Sequence, residues 1–232
     1  MSTGVPLLEV IALTPNDAVA AERGGADRLE LVRRIDTGGL TPTLEQFQAI
    51  RSAVDLPLRV MLRTNAGFRV STTEVERLLR EVDDLRAAGA DQFVFGFLDA
   101  AGDLAVDALS MLCSATNPRA WTLHHAFDQA ADTASAWAVA RELPHLDAVL
   151  SGGVRGDLGR GLQALCDRAG WQADGPPWLA GGGLILDFVA PLMEAGIRQF
   201  HIGRAARANH AWDRPVSVEA VRRWRELLDG SE

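Results

Sequence analysis

The sequence predicts a single α/β domain, a (β/α)8 or TIM barrel, over residues 1–232. Short runs rich in Leu, Val, Ile and Phe alternate eight times with longer runs rich in Ala, Leu, Glu and Arg. Such alternation is typical of parallel strands that are joined by crossover helices. Eight βα units in 232 residues suit a barrel near the short end of its usual range of roughly 200–400 residues.

A weak internal repeat supports the same architecture. The segments Arg23–Leu31, Ala87–Phe95 and Ala195–Ile202 each contain a helix end, a glycine and the start of an apolar strand. Glycine just past a helix end is a common cap, because it adopts the left-handed conformation without strain. An open doubly wound sheet is the alternative. It would more often carry a glycine-rich turn after its first strand, where this chain has Thr14–Asp17.

The expected elements follow from this alternation. Strands are predicted at Leu7–Leu13, Asp27–Val32, Pro57–Arg63, Asp91–Phe97, Trp121–His125, Leu146–Leu150, Trp178–Ala180 and Gln199–Ile202. Helices are predicted at Pro15–Arg23, Leu44–Ala53, Thr73–Ala88, Val106–Ala115, Thr133–Leu143, Gly159–Ala169, Leu186–Glu194 and Ser217–Leu228.

Composition narrows the class of partner. The formal net charge of -8 and the absence of a basic stripe argue against nucleic acid. No apolar run approaches the roughly 20 residues that span a bilayer, and residues 1–6 do not form a signal peptide. Cys113 and Cys166 lie in predicted helices and are expected to be reduced thiols. We therefore expect a cytoplasmic protein that binds neither nucleic acid nor membranes.

Candidate functional residues lie at the ends of the predicted strands. In a barrel of this kind the active face is formed by the carboxyl ends of the strands. Five polar side chains fall in or just after strands, namely Glu9, Glu30, Arg63, His124 and His201. A buried ion pair is costly to desolvate, so Glu9 and Glu30 suggest function, although a structural network with Arg28, Arg59 or Arg63 is the alternative.

The alternation of side chains along a strand refines this set. Thr122 and His124 share one face of the fifth strand and are expected to point into the barrel, which leaves His125 facing outward or at the loop. His201 lies on the face opposite Phe200 and is also expected inside.

Glycines follow the last two strands. Gly181, Gly182 and Gly183 follow strand 7, and Gly203 and Arg204 follow strand 8. Small residues at this place leave backbone N–H groups open to an anion, and the loops after strands 7 and 8 often form a phosphate site. The sequence therefore predicts an anion-binding site here.

These motifs together resemble the CutC family, which is named for copper homeostasis. The resemblance runs from about Leu8 to Ala205 and rests on segments in a characteristic order. They are GGADRLEL at 24–31, GGLTP at 38–42, VMLR at 60–63, HHAFD at 124–128, then Ser151–Gly153, Gly181–Gly183 and Phe200–His201. The resemblance implies a cytoplasmic (β/α)8 barrel, a homo-oligomer (a dimer or larger), and copper binding or trafficking.

The chain departs from the family pattern where copper is concerned. The thiols usually proposed for Cu(I) stand in the family at positions that are Ile11 and Val32 here. His125 replaces a frequent arginine, and the loop after Arg63 is one residue shorter. If metal is bound, the resemblance and the residue types point to Glu9, Glu30, His124 and His201, a set that suits Zn(II), Cu(II) or Mn(II) better than Cu(I).

Three functional hypotheses stay open at this stage. The first is a copper-handling protein that binds a metal ion. The second is an enzyme acting on a small anionic or phosphorylated molecule, in which Glu30 or His124 transfers a proton and Arg63 holds the anion. The third is a non-catalytic barrel that works by oligomerisation or partner binding. Six tryptophans favour some exposed aromatic surface, and the alternative is that they pack helices on the barrel. No nucleophile elbow, Schiff-base lysine or cofactor fingerprint is visible.

Overall fold

Eight parallel strands close into one barrel in the computed structural model, which describes residues 5–230. Each strand pairs with its sequence neighbours, and the first strand also pairs with the last. The strands β1 to β8 are Leu7–Ala12, Arg28–Leu31, Leu58–Met61, Gln92–Phe95, Ala120–Leu123, Leu146–Ser151, Trp178–Ala180 and Gln199–Ile202. The (β/α)8 prediction is confirmed, and the open-sheet alternative is excluded.

Each strand is followed by a helix, as the alternation predicted. The helices α1 to α8 are Pro15–Gly24, Leu44–Arg51, Thr72–Ala87, Val106–Thr116, Thr133–Ala140, Leu158–Arg168, Val189–Glu194 and Val218–Asp229. The predicted seventh helix starts with a 3₁₀ turn at Leu186–Phe188 before it becomes α-helical. An additional 3₁₀ segment, Ala169–Asp174, follows α6.

Helix starts agree with capping chemistry. The Ser71 hydroxyl accepts a hydrogen bond from the Glu74 N–H, and the Glu74 carboxylate accepts one from the Ser71 N–H, which forms a capping box. Thr14, Thr43 and Ser217 cap α1, α2 and α8 through their hydroxyls. These caps fix where each helix leaves the loop, and therefore where each following strand enters the barrel.

The hydrophobic core lies between the strands and the helices. Outward-facing strand residues such as Leu8, Val10, Leu29 and Phe93 are fully buried against the helices. The inward faces are different, because polar and charged side chains occupy much of the barrel interior. The buried charged residues on the strands are Glu9, Arg28, Glu30, Arg59 and His201.

The tryptophans do not form an exposed surface. Trp121, Trp137, Trp178 and Trp224 are buried, and Trp171 and Trp212 are half-buried. The Trp171 ring packs beside Trp137 and Trp178. The expectation of some exposed aromatic surface was wrong, and the alternative holds, because these rings fill the layer between helices and barrel or line loops. Within residues 5–230, no helix is long and apolar enough to span a membrane.

Candidate functional site

A cavity of about 630 Å³ opens where the strands end. It takes in most of the residues that the sequence singled out, and adds several from the loops. Its wall includes Ile11, Glu30, Met61, Arg63, Phe68, His124, His125, Gly156, Gly182, Gly183, His201, Gly203, Arg204, His210 and Trp212. Glu9 and Gly181 lie behind this wall, so they do not contact the cavity directly.

Glu9 contacts His201 from behind the cavity wall. The neighbouring strands β1 and β8 place the two residues side by side, with Glu9 Oε1 at 2.7 Å from His201 Nδ1. The other carboxylate oxygen accepts a hydrogen bond from Arg28 Nε at 2.5 Å. Burial alone would raise the pKa of Glu9, but Arg28 and His201 outweigh it and lower the pKa to about 2. Glu9 therefore stays ionised and directs the Nε2 atom of His201 away from itself.

Glu30 is the second buried carboxylate, and its environment is the opposite. Its Oε2 atom lies 3.8 Å from His201 Nε2, beyond hydrogen-bond distance. Burial raises the pKa of Glu30 to about 7, since the His201 charge opposes the shift only in part and the Glu9 charge adds to it. For His201, burial lowers the pKa, but the carboxylates of Glu30 and Glu9 outweigh burial and raise it. Glu30 and His201 thus form an electrostatically coupled pair at the cavity wall.

Three of the four proposed metal ligands come together. Ligand atoms of Glu9, Glu30 and His201 all lie within 4.8 Å of one another. His124 is not part of this group, because β5 lies across the barrel from β1 and β8. Both Glu9 oxygens already bind Arg28 and His201, so a metal ion here would contact His201 Nε2 and Glu30, with Glu9 behind them.

His124 has an unusual hydrogen-bonding state. Its Nδ1 atom accepts a hydrogen bond from the Ala126 N–H at 3.2 Å, whereas its buried Nε2 atom has no partner within residues 5–230. The ring packs edge-on against Phe68. Burial, together with the Arg63 and His125 charges, lowers the pKa of His124 well below 6.5. The imidazole is therefore neutral at physiological pH.

Arg63 ties loops together as well as lining the cavity. Its guanidinium donates hydrogen bonds to the carbonyl oxygens of Gly38, Ala66 and Gly67, and it stacks over Phe68 at 4.6 Å. Three of its five N–H groups are thereby used in structure. The two remaining N–H groups of Arg63 are available for the predicted binding of an anion.

His125 lies in the loop after β5, which is one of the two positions expected for it, and it lines the cavity. Its Nδ1 atom lies 3.1 Å from Asp128 Oδ2, and its ring contacts the backbone near Gly156 and Gly182. Asp128 is anchored by Ser151 Oγ at 2.6 Å and by the Gly152 N–H at 2.8 Å. A carboxylate three residues after the histidine was the signal in the sequence that could have indicated this pair.

The glycine turn after β7 has unused backbone donors. The Gly181 N–H donates to the Ser151 carbonyl, but the N–H groups of Gly182 and Gly183 have no partner among residues 5–230. Both glycines are left-handed, with φ of 86° and 87°, and a Cβ atom at Gly182 would collide with the Gly156 carbonyl oxygen. Such paired amides at a left-handed turn form a concave anion site.

The opposite wall of this turn also leaves donors free. After β8, the N–H groups of Gly203 and Arg204 have no partner in the described part of the chain. The Arg204 side chain is exposed, lines the cavity and makes no ion pair within residues 5–230. The glycines and arginine that the sequence assigned to an anion site therefore converge on one place, apart from Gly181.

The two cysteines do not reach the site. Cys113 is buried in α4 and Cys166 is half-buried in α6, and neither lines the cavity. Burial raises the pKa of Cys113 to about 11, which keeps its thiol protonated. Ile11 and Val32 pack with Met61 and Val94 in an apolar layer inside the barrel. The residues present therefore do not fit a Cu(I) thiolate site.

Comparison with known proteins agrees with the fold. A 30% identical relative from Salmonella schwarzengrund (strain CVM19633), named family protein CutC, matches over 196 residues, which is 84% of this chain and 78% of the relative. A relative of the same name from Klebsiella pneumoniae (strain 342) is 31% identical, again over 196 residues with the same two coverages.

A solved structure shares the barrel. It is named a copper homeostasis protein CutC from Streptococcus agalactiae and superposes with a TM-score of 0.78 at 20% identity, covering 85% of this chain and 98% of that chain. KGPDC from Streptococcus mutans has a TM-score of 0.62 at 15% identity, over 98% of this chain and 99% of that one. The CutC family model matches residues 6–206, and together with the 30% identical relatives this match shows that the chain belongs to the CutC family.

Proposed function

We propose that this protein is an enzyme that transfers protons on a small anionic molecule held in the barrel mouth. The observation that carries the proposal is the pair Glu30 and His201, two buried ionisable groups 3.8 Å apart on the cavity wall. A general acid or base works best when its pKa lies near the working pH. The pKa of about 7 for Glu30 meets that condition.

The anionic nature of the substrate rests on a second feature. Gly182, Gly183, Gly203 and Arg204 all line the same cavity, and within residues 5–230 their backbone N–H groups and the Arg204 guanidinium have no partner. The barrel interior behind the cavity holds its cations against carboxylates, as in the Arg28–Glu9 and Arg59–Asp147 pairs. The donors without a partner at the turn are therefore where a phosphate or carboxylate group of the substrate would bind.

The test of the proposal is a phosphate titration followed by NMR. Inorganic phosphate should shift the amide signals of Gly182, Gly183 and Gly203 in wild-type protein. Arg204→Met should weaken that binding several-fold, because a charged hydrogen bond is lost. Arg223→Met, an exposed change on α8, is the matched control and should bind phosphate normally. Absence of any shift at the turn would contradict the proposal.

Copper handling is the second candidate function, favoured by the grouping of Glu9, Glu30 and His201 and by the name of the related Streptococcus agalactiae protein. An imidazole and a carboxylate suit Cu(II) more than Cu(I), because Cu(I) prefers sulfur. The copper would be cargo that contacts His201 and Glu30 at the cavity wall.

Copper binding can be tested in both oxidation states. Titration with Cu(II), and anaerobic competition for Cu(I) against a chromophoric chelator, should show one Cu(II) site that His201→Gln removes and that His124→Gln leaves intact. The double variant Ile11→Cys, Val32→Cys serves as a positive control for Cu(I), since it returns two thiols to the barrel interior. Equal loss of Cu(II) binding in the His201 and His124 variants would contradict this site.

A further inference from the structure

His124 offers the cavity a single hydrogen-bond donor. Because its Nδ1 atom accepts the Ala126 N–H, the ring proton of the neutral imidazole must reside on Nε2. That Nε2–H group is buried and has no acceptor within residues 5–230. A buried donor without a partner costs free energy, so an unpaired donor beside a cavity indicates a missing ligand acceptor.

The surroundings of His124 favour an acceptor that carries negative charge. Arg63 lies close enough to both His124 and Glu30 to influence the pKa of His124 and to be influenced by Glu30. All three side chains line the same cavity. A neutral imidazole and a guanidinium thus face a space that Glu30 also reaches. This arrangement resembles an oxyanion site opposite a general base.

The side chains that line the cavity exclude several other chemistries. None of the lining residues within 5–230 is Ser, Thr, Cys, Lys or Tyr, so the wall offers no hydroxyl, thiol or amine nucleophile, and its ionisable groups are carboxylates, imidazoles and guanidiniums. The whole sequence contains no lysine, since arginine accounts for all 23 of its Lys and Arg residues. A Schiff base on a lysine is therefore impossible. Proton transfer is the reaction that these side chains support without a covalent intermediate.

We propose that the substrate is an anionic carbonyl compound whose enolate oxygen is hydrogen-bonded by His124 Nε2–H, which makes the reaction an enolisation. The inference rests on the proposed function, because it uses the same cavity and anion turn. The Glu30 carboxylate removes a proton from the carbon next to the carbonyl, and the electron pair of that C–H bond moves to the carbonyl oxygen. Returning the proton to the same carbon, as the electron pair on oxygen re-forms the carbonyl, gives an epimer. Where that carbon carries a hydroxyl, the hydroxyl proton moves to the former carbonyl oxygen and the first proton returns to the former carbonyl carbon, which gives an isomer with no other reactant consumed.

This assignment changes the role of His124. The sequence suggested proton transfer by Glu30 or His124, but a neutral histidine with Nδ1 already occupied is suited to donate a hydrogen bond without giving up its proton. Neutral histidine used as an electrophile is an established device in barrel enzymes. Glu30 then remains as the proton-transfer group, and His201 is its neighbour.

Two substitutions separate the donor from the structural contact. His124→Asn keeps an oxygen near the position of Nδ1, where it accepts the Ala126 N–H, but removes the donor at Nε2. His124→Gln can place an N–H near Nε2 but loses the Nδ1 acceptor. His145→Asn is the matched control, because His145 is exposed, already left-handed, and outside the cavity.

The probe is phosphoglycolohydroxamate, a planar mimic of an enolate that also carries a phosphate, compared with inorganic phosphate by calorimetry. We expect the hydroxamate to bind at least tenfold more tightly than phosphate. His124→Asn should weaken hydroxamate binding about ten- to hundredfold while phosphate binding is unchanged. His124→Gln should retain part of the affinity, and His145→Asn all of it. Nitrogen NMR of the free protein should show His124 as the Nε2–H tautomer.

Three outcomes would contradict the inference in distinguishable ways. If phosphate binds but the hydroxamate gains nothing, or His124→Asn has no effect on it, the enolate site is wrong and the anion site stands. If neither probe binds at the turn, both the proposed function and the inference are wrong. A larger loss in His124→Gln than in His124→Asn would show that His124 acts through its structural contact alone.

Discussion

Buried charged groups have different partners at the floor of this barrel and at its mouth. The barrel floor comprises Glu9, Arg28, Arg59 and Asp147, and its two ion pairs join at 2.5 Å. The remaining buried nitrogens of Arg59, Nη2 of Arg28 and Oδ1 of Asp147 have no partner among residues 5–230. The barrel mouth comprises Glu30, His124, His125, Gly182 and Arg204, which line the cavity. There the cation that faces Glu30 is His201, whose Nε2 atom is 3.8 Å away, and His124 Nε2 has no acceptor among residues 5–230. Cations paired directly with carboxylates hold a fold together, whereas a polar group without a partner beside a cavity is available to a ligand.

The largest effect should come from breaking the floor. Arg28→Met would leave the Glu9 carboxylate buried with only His201 beside it. We expect a loss of about 3–5 kcal/mol in the free energy of unfolding, measured by urea denaturation. Arg77→Met removes an exposed helix pair with Glu81 and should cost less than about 1 kcal/mol. Similar losses of unfolding free energy in the two variants would contradict the claim that the ion pairs of the floor contribute more to stability than an exposed pair.

A steric change at the mouth should come next. Gly182→Ala places a Cβ atom against the Gly156 carbonyl oxygen in a left-handed residue, so we expect a loss of about 2–4 kcal/mol by thermal or urea unfolding. Gly183 has nearly the same φ but an open surrounding. Gly183→Ala should therefore cost only about 1–2 kcal/mol. If both variants lose the same stability, the close approach of the two loops is not a constraint.

Glu30 should make stability fall as the pH rises. Its pKa is about 7 in the folded chain against an ordinary 4.5, so the folded state binds more protons between these values and the free energy of unfolding decreases with pH. His201 acts in the same direction, because its raised pKa contributes stability that is full below 6.5 and is lost above it.

Glu30→Gln should flatten this profile and add about 1–3 kcal/mol at pH 8, measured by urea denaturation from pH 5 to pH 8. Glu76→Gln, an exposed change on α3, is the control and should leave the slope as it is. A wild-type stability that rises through this range would contradict the shifted pKa of Glu30.

The smallest effect should come from the one mouth cation that is exposed. Arg204→Met is expected to change the free energy of unfolding by no more than about 0.5 kcal/mol, because the guanidinium makes no ion pair among residues 5–230. Thermal unfolding without phosphate measures this directly. A clear destabilisation would mean that Arg204 is structural, and it would remove the contrast with Arg28.

Much of the candidate site could be predicted because a barrel converts strand ends into neighbours. Once eight βα units were recognised, Glu30, His124, His201, the glycine turn and Arg204 had to meet at one end. His125 and the separation of His124 from the metal group could not be predicted. They depend on loop paths and on distances across the barrel, and neither quantity is encoded in the spacing of residues along a strand.

The sequence by itself determined the barrel, the order of its elements and the set of side chains near its mouth, because hydrophobic periodicity and helix caps act over a few residues. Only the tertiary structure decided what each charged group does. Glu9 and Glu30 are chemically identical and both buried, yet their pKa values are about 2 and about 7. The difference arises from Arg28 and His201, partners supplied by other strands, and electrostatic energy depends on such distances in space.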